Sequence, residues 1–287
     1  MTDRWIVGVD GSDASVDALG FAVHHALTRD VAVSAVTAFH VPAVMALFTA
    51  KRGFGVDELG LSATAGHELD VIIEKLGVGD RVTPMVVEGQ AAHVLVDAAV
   101  DAELLIVGQQ GAGELRQHRL GSVSRYCATH ATAPVVVVPE GWDERPTTGC
   151  IVVGFDGSDN AAAALEWALG FAAPDVAVRV VVATDVAPWL DPDTTRQRFA
   201  DEIAEQEQAM NAAIDAVDTA GVTDRVFVLD APRAVLRDAG RAADLVVVGA
   251  RGRGLIAAEL LGSVSTSVVQ DTVVPVVVVP DRARQAG

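Results

Sequence analysis

The sequence predicts an α/β architecture of two tandem, doubly wound parallel sheets with five strands each. Three observations lead there. Short Val- and Ile-rich runs alternate with longer Ala-rich segments, and the whole pattern is written twice within 287 residues. Half of the chain (51%) is hydrophobic while only 5% is aromatic, so the cores must be built from small and branched side chains. Parallel strands covered by helices on both faces need that uniformly apolar, β-branched composition. The length suffices for two domains with separate cores.

The repeat is explicit. "WIVGVDGSDAS" (5–15) returns as "IVVGFDGSDNA" (151–161), "LLIVGQQGAGELRQHRLGSVS" (104–124) as "LVVVGARGRGLIAAELLGSVS" (245–265), and "APVVVVPE" (133–140) as "VPVVVVPD" (274–281). A repeat of this length is too long for a solenoid unit, so each copy is expected to be a complete domain. Domain one should cover 1–140 and domain two 150–287. Residues 141–149, charged and punctuated by Pro146 and Gly149, read as a linker. The copies lose similarity after the second strand, where 40–60 faces the unrelated 185–201.

Strands are expected near 4–9, 31–38, 82–88, 103–108 and 134–138 in the first copy. In the second they are expected near 150–155, 176–183, 225–229, 244–249 and 275–279. Helices should fill 13–28, 62–76, 90–101 and 121–131, then 159–172, 196–219, 231–242 and 262–272. In open sheets of this class, ligands bind beyond the carboxyl ends of the strands, where strand order reverses.

Two recurring constellations fall at that edge. The first is G-x2-G-x9-G-S after the fourth strand: Gly108, Gly111, Gly121 and Ser122, then Gly249, Gly252, Gly262 and Ser263. Its early glycines, with Gly113 and Gly254 beside them, suit positive φ and close approach of a ligand. Its Gly-Ser opens a helix, where free N–H groups and the helix dipole favour an anion. Val123 and Val264 continue that first turn, and Ser124 and Ser265 add hydroxyls. This is a phosphate cradle. It is neither a Walker A loop nor a dinucleotide fingerprint, because the Gly-Lys-Ser/Thr and the G-x-G-x-x-G after strand one are both missing. The second constellation ends the first strand: Gly8 and Asp10, then Gly154 and Asp156, each followed by Gly-Ser. A carboxylate there can accept from a ribose hydroxyl or an adenine edge, or reach Mg beside phosphates. Asp-Gly-Ser is also ordinary turn and N-cap chemistry.

Other chemistries find less support. A net charge of −18 argues against nucleic acid as the partner. No apolar run reaches membrane-spanning length, and the N-terminus lacks a secretory core, so a cytoplasmic protein is expected. Cys127 and Cys150 form no cluster, and His24, His25, His118 and His130 show no metal-site spacing. "DPDTT" (191–195) reads as a loop or cap. Ser122 and Ser263 sit in no G-x-S-x-G and have no recurring His as base. Trp142, Trp167 and Trp189 make no stacking pattern for single strands. Arg251 and Arg253, where the first copy has Gln110 and Ala112, read either as a solvated pair or as phosphate contacts.

With these motifs in place, the chain resembles the ATP-binding branch of the universal stress protein family, in its tandem actinobacterial form. The resemblance covers nearly the whole chain. It implies sheets in the order 3-2-1-4-5, of the adenine nucleotide alpha-hydrolase-like kind, with one ATP per domain. It also implies that Asp10 with Ala38, and Asp156 with Thr184, hold the adenosine, while the glycine loops and Gly-Ser hold the phosphates. A regulatory nucleotide-binding module is the reading adopted. A slow ATPase or phosphotransferase is the alternative, and it would need a recurring Lys and further acids that the repeat lacks. A nucleotide-free stress scaffold is the third possibility.

The terminal runs "PVVVV" at 134–138 and 275–279 leave sheet edges in need of cover. They are expected to meet about a pseudo-two-fold axis, and full chains to form a homodimer. A 1–140 fragment should then self-associate in sedimentation experiments. A folded, strictly monomeric fragment at high concentration would overturn the expectation.

Overall fold

The computed structural model describes residues 4–41, 60–112, 120–143, 145–185, 197–217, 221–253 and 260–281. The chain divides into two compact units, Met1–Glu144 and Arg145–Gly287. The N-terminal unit begins with β1 (Arg4–Gly8), α1 (Asp13–Ala26) and β2 (Ala32–Phe39). Next come α2 (Leu61–Leu76), β3 (Val82–Glu88) and α3 (Ala91–Ala98), and the unit closes with β4 (Leu104–Gly108), α4 (Ser122–His130) and β5 (Val135–Val138). The C-terminal unit runs β6 (Cys150–Gly154), α5 (Asp159–Phe171), β7 (Ala177–Ala183) and α6 (Ala200–Asp215). It continues with β8 (Val222–Val228), α7 (Pro232–Gly240), β9 (Leu245–Gly249), α8 (Ser263–Asp271) and β10 (Val276–Val279).

Within the N-terminal unit the strands lie in the order β3-β2-β1-β4-β5, and within the C-terminal unit in the order β8-β7-β6-β9-β10. Both are 3-2-1-4-5, with every recorded pair parallel. Right-handed crossovers put the helices after the first two strands on one face and the later ones on the other. Strand order reverses between β1 and β4, paired Trp5 with Leu104 and Val7 with Ile106. In the second unit it reverses between β6 and β9, paired Ile151 with Leu245.

Four of the apolar runs become strands buried along their whole length. All residues of β4, β5, β9 and β10 are buried, as strands covered on both faces require. The strand at the opposite end of the C-terminal unit reads differently. Strand β8 begins at Val222, earlier than the apolar run at 225–229 suggests. Its polar start is tolerated because one side faces solvent: Asp224 meets Arg179 of β7 at 3.0 Å, and Arg225 reaches Asp215 of α6 at 2.6 Å. The segment 141–149 is tied down on either side of the division. The Gly141 amide donates to Asp17 Oδ2 at 2.7 Å and Trp142 Nε1 to the Asp17 carbonyl at 2.9 Å. The Gly149 amide donates to Asp244 Oδ2 at 2.7 Å. Among the described residues no helix is long and apolar enough to cross a membrane.

Candidate functional site

Beyond β1 the chain turns through Asp10-Gly11-Ser12 into α1, and beyond β6 through Asp156-Gly157-Ser158 into α5. Gly11 and Gly157 take φ of 82° and 76°, a conformation that a side chain would strain. Ser12 and Ser158 cap the helices, their Oγ accepting from the Ser15 amide at 3.3 Å and the Ala161 amide at 3.2 Å. The capping chemistry is therefore real, but it leaves each aspartate a second task. Asp10 Oδ1 accepts from the Ser12 amide at 3.1 Å, and its Oδ2 accepts from the Ala112 amide at 2.9 Å. Asp156 repeats this with the Ser158 amide at 3.0 Å and the Arg253 amide at 3.0 Å. In each unit one carboxylate clips the glycine loop to the turn after the first strand.

Burial of the Asp10 carboxyl raises its pKa, but hydrogen bonds from Ser12, Ala112 and Ser15 outweigh it, and the net value lies below the usual carboxylate range. The group is ionised at neutral pH. Its contribution to stability is present above the unfolded-state value, about 3.9, and is lost as pH falls through the depressed folded value.

The loop glycines are explained by space. Gly108 and Gly111 are not among the positive-φ residues, nor are Gly249 and Gly252, which departs from the expectation of a left-handed loop. A Cβ on Gly111 would stand 2.5 Å from Asp10 Oδ2, and one on Gly252 would collide with Asp156 Oδ2. A Cβ on Gly108 would meet the backbone of Ala14 and Ser15 in α1, and one on Gly249 that of Asn160 in α5. The described ends of each loop are joined, the Gly121 amide donating to the Gln109 carbonyl and the Gly262 amide to that of Ala250, both at 2.8 Å. Gly121 and Gly262 are N-caps without a side-chain cap, so the first amides of α4 and α8 face the loop.

The serines divide their roles. Ser124 Oγ donates to the Gly108 carbonyl at 2.6 Å and Ser265 Oγ to that of Gly249 at 2.7 Å. Both residues are buried. Their single hydroxyl protons are spent on the ends of β4 and β9, so they offer a ligand their amides rather than the expected hydroxyl donors. Ser122 and Ser263 stand in the first helical turns at the cavities. Replacing Ser124 or Ser265 by Ala leaves a buried carbonyl short of a partner. Chemical denaturation should show a loss of about 1–3 kcal/mol in the affected unit.

These parts enclose one cavity per unit at the switch point, of about 370 Å³ in the first and 400 Å³ in the second. The first is lined by Gly8, Asp10, Ala38, Gly108, Gly111, Gly121, Ser122, Val123 and Ser124 among others. The second brings together Gly154, Asp156, Thr184, Gly249, Arg251, Gly252, Arg253, Ser263, Val264 and Ser265. Gly262 is the helix N-cap next to this set. Gly113 and Gly254 lie outside the described residues, as do His118, Trp189 and 191–195.

The two cavities differ in their cations. Arg251 Nη2 is paired with Asp281 Oδ2, and Arg253 Nη2 lies 3.9 Å from Met210 Sδ, over the Gly157 turn. In this state both guanidinium groups have protein neighbours. Sequence reasoning passed over several lining residues. Leu95 and Leu236 press against Gly8 and Gly154, where a Cβ would come within 2.7 Å and 2.9 Å of them. They recur in the two copies and were open to discovery by that signal. Gln206, whose Nε2 donates to Thr184 Oγ1 at 3.1 Å, and Met210 come from α6, where the copies share no pattern. Among the described residues no group of three metal-ligating side chains forms.

The model of the universal stress protein family matches residues 1–139 and again 149–280. Universal stress proteins Rv1996 and Rv2623 of Mycobacterium tuberculosis are 30% and 32% identical to the chain. Both alignments cover 95% of the chain, with 93% of the first relative and 95% of the second. A universal stress protein of Archaeoglobus fulgidus superposes with a TM-score of 0.60 over 97% of this chain and 98% of its own, at 17% identity. A functionally unknown protein of Pseudomonas aeruginosa PAO1 reaches 0.66 over 99% and 95%, at 13% identity, which speaks to the fold alone. With the family pattern matched in both halves and relatives aligned end to end, this chain belongs to the universal stress protein family and carries its domain twice.

Proposed function

We propose that each unit binds one adenine nucleotide, ATP, and that the protein is a stress-response regulatory module that works by binding. One observation carries this reading: the same cavity is assembled twice at the switch point from matching residues, while the surrounding sequence has diverged. Each cavity joins a carboxylate at the end of the first strand, a loop too tight for side chains, and the amides of a helix start. Those amides suit phosphates. Asp10 and Asp156 suit ribose hydroxyls, and the ends of β2 and β7, at Ala38 and Thr184, suit the base. The volumes fall in the range of small-ligand sites.

Mg fits only as a companion of the phosphates. The first cavity supplies one acid, Asp10, and the second adds Asp185 to Asp156; both oxygens of Asp10 and of Asp156 already accept N–H bonds, whereas Mg takes octahedral oxygen ligands and keeps several waters. Asp10 or Asp156 would add one ligand to a shell of phosphate oxygens and water. Binding is favoured over turnover because, among the described residues, no Lys or His lines either cavity, and the arginines of the second, Arg251 and Arg253, have no counterpart in the first.

The test is acid extraction of the purified protein with nucleotide chromatography, followed by ATP titration calorimetry. Adenine nucleotide should be released, and titration of emptied protein should approach two ATP per chain. Absence of both would leave the nucleotide-free scaffold as the reading.

A further inference from the structure

We infer that Asp281 sets the affinity of the C-terminal cavity for the phosphates of its ligand by competing with them for Arg251, an inference that rests on the nucleotide reading above. Arg251 lines this cavity, and its partner Asp281 stands just past β10. Strands β9 and β10 are neighbours in register, Gly249 beside Val279, so both residues leave the sheet together at its carboxyl edge. That edge also holds the glycine loop and the start of α8. The side chains are only 18% and 27% exposed, so the pair is partly shielded from solvent and salt. An ion pair in that setting still carries a modest penalty for whichever charge loses its partner.

A polyphosphate arriving beside the α8 amides meets two effects of Asp281. The guanidinium that would grip it is already engaged, and a second negative charge stands within reach of its own. Among the described residues the N-terminal cavity has no such arrangement: the repeat places Gln110 where Arg251 stands and Glu140 where Asp281 stands. Gln110 is neutral, so at that position Glu140 faces no counterpart of Arg251. One of the two cations that distinguish the C-terminal site therefore comes with its own internal competitor, and Arg251 adds less to the ATP affinity of that site than an unpaired arginine would. Asp281→Asn keeps the shape and removes the competition.

The experiment uses the full-length chain carrying Gly111→Val, which confines ATP to the C-terminal cavity, and compares it with and without Asp281→Asn by calorimetry. ATP affinity should rise about fivefold, the equivalent of about 1 kcal/mol for a partly screened pair. Adenosine, which lacks phosphates, should bind with unchanged affinity. In an Arg251→Gln background the gain from Asp281→Asn should fall below about twofold, because most of it acts through Arg251. An unchanged ATP affinity, an equal gain for adenosine, or an undiminished gain with Arg251→Gln would each overturn the inference. If Asp281→Asn fails to fold, Asp281→Ser carries the same comparison. A parent protein that binds no ATP at all would instead overturn the nucleotide reading on which the inference stands.

Discussion

Replacing Gly111 or Gly252 with valine is expected to abolish nucleotide binding in the unit that carries the change and to leave the other unit's site intact. The reason is spatial. The first atom of any side chain at Gly111 would fall 2.5 Å from Asp10 Oδ2, and at Gly252 it would strike Asp156 Oδ2. The carboxylate must then swing away, which breaks the clip from the Ala112 or Arg253 amide. Neither the loop nor the acid would keep its place, and the displaced charge would point into the space a ligand needs. A hydrogen bond involving a charged group is worth about 1.5–3 kcal/mol, or about tenfold to a hundredfold in affinity. The steric loss of the loop comes on top. The fold should survive, because the loop lies outside the core and the neighbouring strands are untouched. Calorimetry should show stoichiometry falling from two ATP to one in each single variant. Full stoichiometry in a folded variant would mean the loop does not hold the ligand.

Alanine at Gly108 or Gly249 should act on the fold instead, and more severely. Here the added Cβ meets backbone: the carbonyl group of Ala14 and the amide of Ser15 at 2.6–2.8 Å for Gly108, and Asn160 at 2.8 Å for Gly249. A flexible side chain can turn aside, but a helix backbone packed on its sheet moves only as a body. Helix α1 would have to lift from β4, or α5 from β9, opening gaps elsewhere in a close-packed core. The expected cost is about 3 kcal/mol, at the upper end for overpacking, and a large part of an ordinary domain's stability. Denaturant unfolding should show the affected unit melting early, with its site lost as a consequence. Gly20→Ala is the control, because nothing lies within 4 Å of that position in α1. It should stabilise by about 0.5–1 kcal/mol through helix propensity. Equal behaviour of Gly20→Ala and Gly108→Ala would refute the packing argument.

These two glycine pairs belong to one motif and look alike in the sequence, yet they answer to different neighbours. That division recurs through the molecule. The sequence by itself determined the duplication, the strand–helix alternation and, in each unit, the end of the strands where the aspartate, Asp10 or Asp156, meets its glycine loop. Such features are legible because they rest on local chemistry: apolar runs that must be buried on both faces, Asp-Gly-Ser turns, and helix starts without side-chain caps. The polar start of β8 was hidden because an exposed edge allows Asp224 and Arg225 in a strand. Only the tertiary structure decided which atoms the motif residues touch. It spent the Ser124 and Ser265 hydroxyls on strand carbonyls, turned Arg251 toward Asp281, and brought Gln206 and Met210 of α6 over the second cavity. The physical reason is that a side chain's partner is set by which elements the sheet places side by side, and residues such as Arg251 and Asp281 meet only because β9 and β10 are neighbours in space.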